Sequence, residues 1–380
     1  MKKSVLAVAI AAAAFAASAA SAAQVYDKDG TTLAVGGQIE FMAGNAGNTY
    51  FGDKTNQIGK SADATTRDRA RLTMAGRTQL TSNIAAYAYN EWQAQHSATS
   101  DEATSISARQ QFLGVDFGTF GKVQMGRYKD PFVFASSTVD VLDEVGVYGC
   151  NDERNSGHLS YMWKGFGFDA GVSYQFAEDK YKTDTEGSFN VDSGFSIYAG
   201  YTSPAVVFGP ISVRAAYLYL NGQDEDDIAA TSSSHGYSYL VDDLKTVDGS
   251  ISWGTNGKGL YIATNYAYSK ATAQDVDGGE HKVKAWESVV TYGFDSGIRI
   301  GASYHYINDK IQADRLGSDE FDQKFFQLIA DYNVTPNFKI WAETCIDAGS
   351  DDYHSKITNF ALTDDKDSHN SVMFGARYVF

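Results

Sequence analysis

The stretch RDRARLTMAGRTQL, residues 67–80, alternates two kinds of side chain. Arg67, Arg69, Arg71, Thr73, Ala75, Arg77 and Gln79 fall on one face; Ala70, Leu72, Met74, Gly76, Thr78 and Leu80 fall on the other. A period of two is strand geometry. Four arginines in mid-strand, backed by an apolar face, demand surroundings that are wet on one side and greasy on the other. The rhythm recurs in LYIATNYAYS, where Leu260, Ile262, Thr264, Tyr266 and Tyr268 oppose Tyr261, Ala263, Asn265, Ala267 and Ser269. In IRIGASYHYI, Ile298, Ile300, Ala302, Tyr304 and Tyr306 oppose Arg299, Gly301, Ser303 and His305. Such segments run to about ten residues or more, against roughly five or six in soluble sheets. At ~3.3 Å per residue and ~45° of tilt, about eleven residues cross the ~25 Å apolar band of a membrane barrel.

The C-terminal stretch SVMFGARYVF keeps the rhythm to its last residue. Val372, Phe374, Ala376, Tyr378 and Phe380 share an apolar side; Ser371, Met373, Gly375, Arg377 and Val379 share the other. Hydrocarbon tolerates no open sheet edge, so the first and last strands of a spanning barrel must pair. The terminal strand is therefore expected in the wall.

The opposite end, MKKSVLAVAIAAAAFAASAASAAQVYDKDG, has two lysines, an apolar run and small residues before a polar stretch. That is a secretory signal peptide over residues 1–22, cut after Ala20-Ser21-Ala22; an uncleaved membrane helix is the competing reading. Residues 23–380 then form one domain, because no linker or shift in composition divides them. The chain carries 31 basic and 47 acidic residues, a net charge of −16, and loss of Lys2 and Lys3 makes it −18. Phosphate backbones need basic surfaces, so nucleic acid is not an expected partner. The acidity fits divalent-cation binding, cation steering or plain solubility. Two cysteines exclude a disulfide-dense scaffold.

Short connections at Thr81, Gly118, Gly165, Asp295 and Thr335 alternate with long polar ones at 44–66, 177–190, 223–243, 274–280 and 350–368. A meander with all tight turns at one end gives that alternation. About sixteen strands are expected from Thr32 to Phe380, an even number as closure of a bacterial barrel requires. Tyr219, Tyr268, Tyr306 and Trp341 suit aromatic girdles at the membrane interfaces. The fold class is all-β, a transmembrane antiparallel barrel.

The chain resembles the trimeric general diffusion porins of Gram-negative outer membranes, over essentially all of residues 23–380. The resemblance rests on AQVYDKDGTTLAVGGQIEF, ARLTMAGRTQL, GTFGKVQMGRYKDPF and GARYVF. It implies a homotrimer in the outer membrane, in contact with lipopolysaccharide, with Ala23 beside Phe380 and Phe380 as the signal to the barrel-assembly machinery. It also implies a third long loop, Tyr128 to Glu153, folded into the pore. The family's loop acids fall on Asp140 and Glu144, with Asp143 as a neighbour; its basic wall falls on Arg71, Arg109, Arg127 and Arg154. Where the first strand of the family usually carries a lysine, this chain has Gln38. Parity adds Arg67, Arg69 and Arg77 to the lumen, since each arginine facing mid-bilayer lipid would cost about 2–4 kcal/mol.

The expected activity is passive diffusion of small hydrophilic solutes and ions, mildly favouring cations, without enzymatic chemistry or cofactor. A barrel enzyme, a solute-specific channel or a soluble β-rich adhesin are the alternatives. The seven histidines show no metal-ligand spacing, and the Ser, His and Asp of SSSHGYSYLVDD are close only in sequence. The acidic run Asp224–Asp227 reads as a solvated loop or as a divalent-cation bridge to lipopolysaccharide phosphates. Cys150, near the end of the inward loop, and Cys345, on the lumen side by parity, are candidates for a disulfide, with two thiols as the alternative.

Overall fold

The computed structural model describes residues 22–45, 65–97, 106–143, 154–224, 232–234, 237–274, 279–313, 317–349 and 370–380. Sixteen long strands make its wall. The first eight are β1 (Thr31–Gly44), β2 (Thr65–Gln79), β3 (Ala85–Ser97), β4 (Ile106–Asp116), β5 (Lys122–Lys129), β6 (Arg154–Gly165), β7 (Phe168–Gln175) and β8 (Gly187–Val206). The second eight are β9 (Gly209–Gly222), β10 (Val241–Thr255), β11 (Lys258–Ala273), β12 (Glu280–Gly293), β13 (Ile298–Ala313), β14 (Gly317–Thr335), β15 (Phe338–Asp347) and β16 (Ser371–Val379). Each pairs antiparallel with the next, and β16 pairs back onto β1. The sheet is a closed tube, which leaves no edge for lipid to meet.

Closure is completed by a short strand, Ala23–Lys28, that pairs with Thr31–Val35 of β1 and continues the line of β16. Its turn is Asp29-Gly30, with φ of 53° and 75°, the two left-handed residues of a type I′ hairpin. Gly37 and Phe380 exchange backbone hydrogen bonds of 2.9 and 3.0 Å. Gly36 lies against both Ala22 and Phe380, and a Cβ there would come within 2.8 Å of the first and 2.9 Å of the second.

The side-chain alternation read from the sequence holds. Arg299, Ser303 and His305 of β13 are buried inward, while Ile298 and Ile300 are exposed outward. On β16, Ser371 and Met373 face in, and Val372, Phe374, Tyr378 and Phe380 face out. Three expectations are corrected. Trp341 is 4% exposed and lies inside, packed with Met42 and Met373, so it belongs to no girdle. Residues 177–190 are not a plain loop: Glu178–Thr183 forms a hairpin ladder with Gly187–Val191. Two tight turns were not among those expected: Val207-Phe208, which has no usual turn residue, joins β8 to β9, and Asn256-Gly257, a pair of the kind hairpins favour, joins β10 to β11. Residues 1–21, most of the acidic run (Glu225 to Asp227), Glu144, Cys150 and His235 lie outside the described residues. Cys345 points inward, 1% exposed.

The candidate pore constriction

After β5 the chain leaves the wall and lies against its inner surface. Asp130 starts this segment. Its carboxylate accepts from Phe132 N at 2.8 Å and from the hydroxyls of Ser173 on β7 and Ser196 on β8. Proline at position 131 suits the first turn of the short 3-10 helix Pro131–Phe134, where no backbone donor is needed. Phe132, Val133 and Ala135 are buried in a cluster with Tyr198 and Leu218 of the wall. Burying a side chain of the size of Phe132 contributes about 1.5–3 kcal/mol.

Backbone carbonyls then fasten the segment strand by strand. Arg214 of β9 donates to Phe134 O at 3.1 Å, Ser250 of β10 to Ala135 O at 2.5 Å, and Tyr261 of β11 to Thr138 O at 2.5 Å. At its far end Asp143 reaches β15 and β16. Its carboxylate is bridged by Lys339 at 2.5 Å and Arg377 at 2.8 Å, and its N–H donates to Glu343. Residues 130–143 therefore cross the interior from β7 to β16.

The two described loop acids differ. Asp143 is an ion-paired anchor, its side chain only 6% exposed. Asp140 is exposed to the lumen and lies near enough to Glu287 of β12 for their charges to act on each other, with Asp248 of β10 as a further neighbour.

On the opposite wall, Arg71 of β2 donates to Gln93 at 2.8 Å, and its charge is felt with those of Arg69, Arg109, Arg154 and Glu91. Gln38 is its register partner on β1. Arg69 binds Glu40, Arg109 binds Glu91, and Arg77 binds Asp116 at 2.9 Å. Arg67 lies above Met42, its Nη2 4.0 Å from the sulfur. Arg127 is set apart from these. It pairs in register with the exposed Gln111, on the face that carries Met125, and donates to Ala108 O at 3.1 Å.

Sequence reading missed the carboxylates behind the arginines. Glu40 is wholly buried and Glu91 is 1% exposed. Glu40 binds both Arg69 and Arg377, so one carboxylate serves two guanidinium groups. Parity alone would have put Glu40 beside Gln38 in the lumen, and Glu91 beside Tyr87 and Tyr89. Lys339 and Glu343 share the inward parity of Cys345, but nothing local in the sequence ties them or Arg377 to Asp143.

A closed sixteen-stranded barrel with an internal loop and a charged lumen is the architecture of a diffusion channel. A family model described as Gram-negative porin matches residues 7–344, and the chain belongs to that family. The outer membrane protein Omp-EA of Erwinia amylovora is 25% identical, with 92% of this chain and 95% of that protein covered. Outer membrane porin C of Enterobacter cloacae is 26% identical, with 85% and 86% covered. Among solved structures, Salmonella typhi OmpF in complex with daunomycin matches with a TM-score of 0.69 at 18% identity, over 94% of this chain and all of that one. The anion-selective porin from Comamonas acidovorans matches with a TM-score of 0.60 at 14% identity, over 92% of this chain and all of that one. The protein is an outer-membrane porin, and its barrel is a channel.

Proposed function

We propose that the channel passes small hydrophilic solutes by passive diffusion and mildly prefers cations. The observation behind this reading is the carboxylate lining of the arginine wall. Arg67, Arg69, Arg71, Arg109, Arg154, Lys339 and Arg377 supply seven positive charges around this level of the lumen. Against them stand the ion-paired Glu40, Glu91 and Asp143, the inward Glu343 and the lumen-exposed Asp140. Carboxylates paired to the arginines offset much of their charge, and in a chain of net charge −16 the mouths then set the sign. Rings of charge tune selectivity without tight binding, which conduction requires. Asp140 on the loop and Arg71, Arg109 and Arg154 on the wall form the constriction, with Glu144 as the second acid that the family resemblance implies, while Asp143 holds the loop in place.

Residues 1–22 are removed on export, and Phe380 is read by the barrel-assembly machinery. The mature chain assembles as a homotrimer through the outer faces of β1 to β5, where Ile39, Phe41, Leu113 and Met125 are exposed. No catalytic step is proposed, because the lumen acids and bases engage each other in a wall built for passage. Planar-bilayer reconstitution tests the reading. Stepwise conductance in multiples of three is expected; a bilayer that stays silent at high protein concentration would overturn it.

A further inference from the structure

Besides the inward loop, a second element lies inside the barrel. It is the hairpin in which Glu178–Thr183 pairs with the first residues of β8. The ladder slips twice at its root, between Phe189 and Val191 and between Val191 and Ser193. A bulge bends its strand and sharpens the twist, so two in succession carry the hairpin out of the line of the wall. The direction is inward. Tyr181, Phe189 and Val191 are buried in one cluster with Leu220 of β9, Leu244 of β10 and Ile311 of β13, inward residues of the wall.

Both ends of the hairpin are fastened. At its base, the Asn155 amide of β6 exchanges hydrogen bonds of 2.8 and 2.9 Å with the backbone of Lys182. At its tip, Glu186 is wholly buried against His281 of β12, and its N–H donates to the Thr183 hydroxyl at 2.9 Å. Neighbouring strands lie about 4.8 Å apart, so the reach from β8 to β12 covers roughly 19 Å of wall. A layer packed face to face on a sheet sits about 10 Å from it, and that depth is lost from the bore. Burial of Phe189 and Val191 contributes about 1.5–3 kcal/mol each, which keeps the layer down.

The hairpin and the inward loop narrow the lumen at different heights. Ser250 of β10 holds Ala135 of the loop, whereas Leu244 of the same strand packs in the hairpin's cluster. At ~3.3 Å per residue they stand roughly 20 Å apart along the strand, with Leu244 nearer the long connections. Lys182 and Ser188, the register pair beside Tyr181 and Phe189, fall on the face turned away from the cluster, and Lys182 is exposed.

We propose that the hairpin over residues 178–191 is a second restriction, in series with the inward loop and met first from outside, and that it sets the size limit of the channel. Compact polar solutes the size of a monosaccharide pass both levels, and disaccharides are slowed at the hairpin. The inference rests on the passive-diffusion reading and deepens it by naming what selects for size.

The test uses the full mature chain reconstituted in liposomes, with swelling rates in lactose and arabinose as readout. Replacing Asp179–Ser188 by Gly-Ser-Gly-Ser is expected to raise the lactose-to-arabinose ratio about threefold or more, while hydrogen exchange of residues 130–143 stays as in the parent. Lys182→Trp adds bulk on the face away from the cluster and is expected to lower the same ratio about twofold. Should the shortened variant fail to fold, the tryptophan variant carries the test alone. An unchanged ratio in either folded variant overturns the proposal. So does a raised ratio with faster exchange in residues 130–143, which would place the widening at the loop. Parent liposomes that fail to swell in arabinose would bear on the diffusion reading instead.

Discussion

Glu40 and Arg377 face each other across the seam that closes the barrel, 337 residues apart in the chain and direct partners in register. The same guanidinium holds Asp143 at the end of the inward loop, and the same carboxylate holds Arg69 on the next strand. One ion-pair chain thus joins barrel closure, loop position and the arginine wall.

Glu40→Gln is expected to destabilise the closed barrel by about 3 kcal/mol, because it strands two guanidinium groups around a buried site. Heat-dependent mobility on semi-native gels is the measurement. The variant should convert to the slow, unfolded form at a lower temperature than the parent, and an unchanged conversion temperature would show that the seam does not depend on this pair.

The wall should respond to single charges with opposite signs. Asp140→Asn removes an exposed lumen acid and is expected to move the reversal potential toward anions. Arg71→Gln removes a cation whose guanidinium donates to the neutral Gln93 amide, and is expected to move it toward cations. Both shifts should shrink at high salt, where the screening length falls to about 3 Å at 1 M. Shifts of the same sign for both variants would remove these residues from the field that ions cross.

Asp143→Asn weakens the tether to Lys339 and Arg377 while leaving the 3-10 turns and their carbonyl contacts in place. Open-channel noise should rise and unit conductance change in single-channel recordings, with little effect on unfolding temperature. Quiet channels of parental conductance would show that the Phe134, Ala135 and Thr138 carbonyl contacts alone fix the loop.

A second anchor lies nearer the long connections. His281 of β12 is held between Glu186 at 2.9 Å and Asp309 of β13 at 2.7 Å, all three buried. Glu186 belongs to the connection after Glu178–Thr183, so this clamp fixes that hairpin against strands four positions away around the barrel. His281→Ala leaves two buried carboxylates without their shared partner. Hydrogen exchange of residues 178–187 should quicken at least tenfold, while residues 130–143 exchange as in the parent. Unchanged exchange in the hairpin would assign its order to Tyr181 and Phe189 packing instead.

The wall was legible because lipid and water enforce a strict two-residue rhythm: Arg67 to Arg77 and Ile298 to Tyr306 state their faces without help from the rest of the chain. The lumen was less legible, since its partners come from strands distant in sequence. Glu40 sits between Ile39 and Phe41 in a stretch that reads as apolar, and its partner Arg377 is reached only when β16 returns to β1. Trp341 carried two readings, an interfacial aromatic by size and a lumen residue by parity with Lys339, Glu343 and Cys345; parity is the one that holds, and its indole packs where a Cβ on Gly375 would collide with it. The Val207-Phe208 turn carries none of the usual turn residues, so it left no trace in the sequence.

The central claim is that carboxylates paired to the arginines offset enough of their charge for the acidic mouths to set the sign of this porin's selectivity. Reversal potential of the unmodified channel across a KCl gradient measures that directly. A potential of the sign for a modest potassium preference, collapsing toward zero with Glu40→Gln or Glu91→Gln, is the predicted result. A clear chloride preference in the unmodified channel would contradict the account.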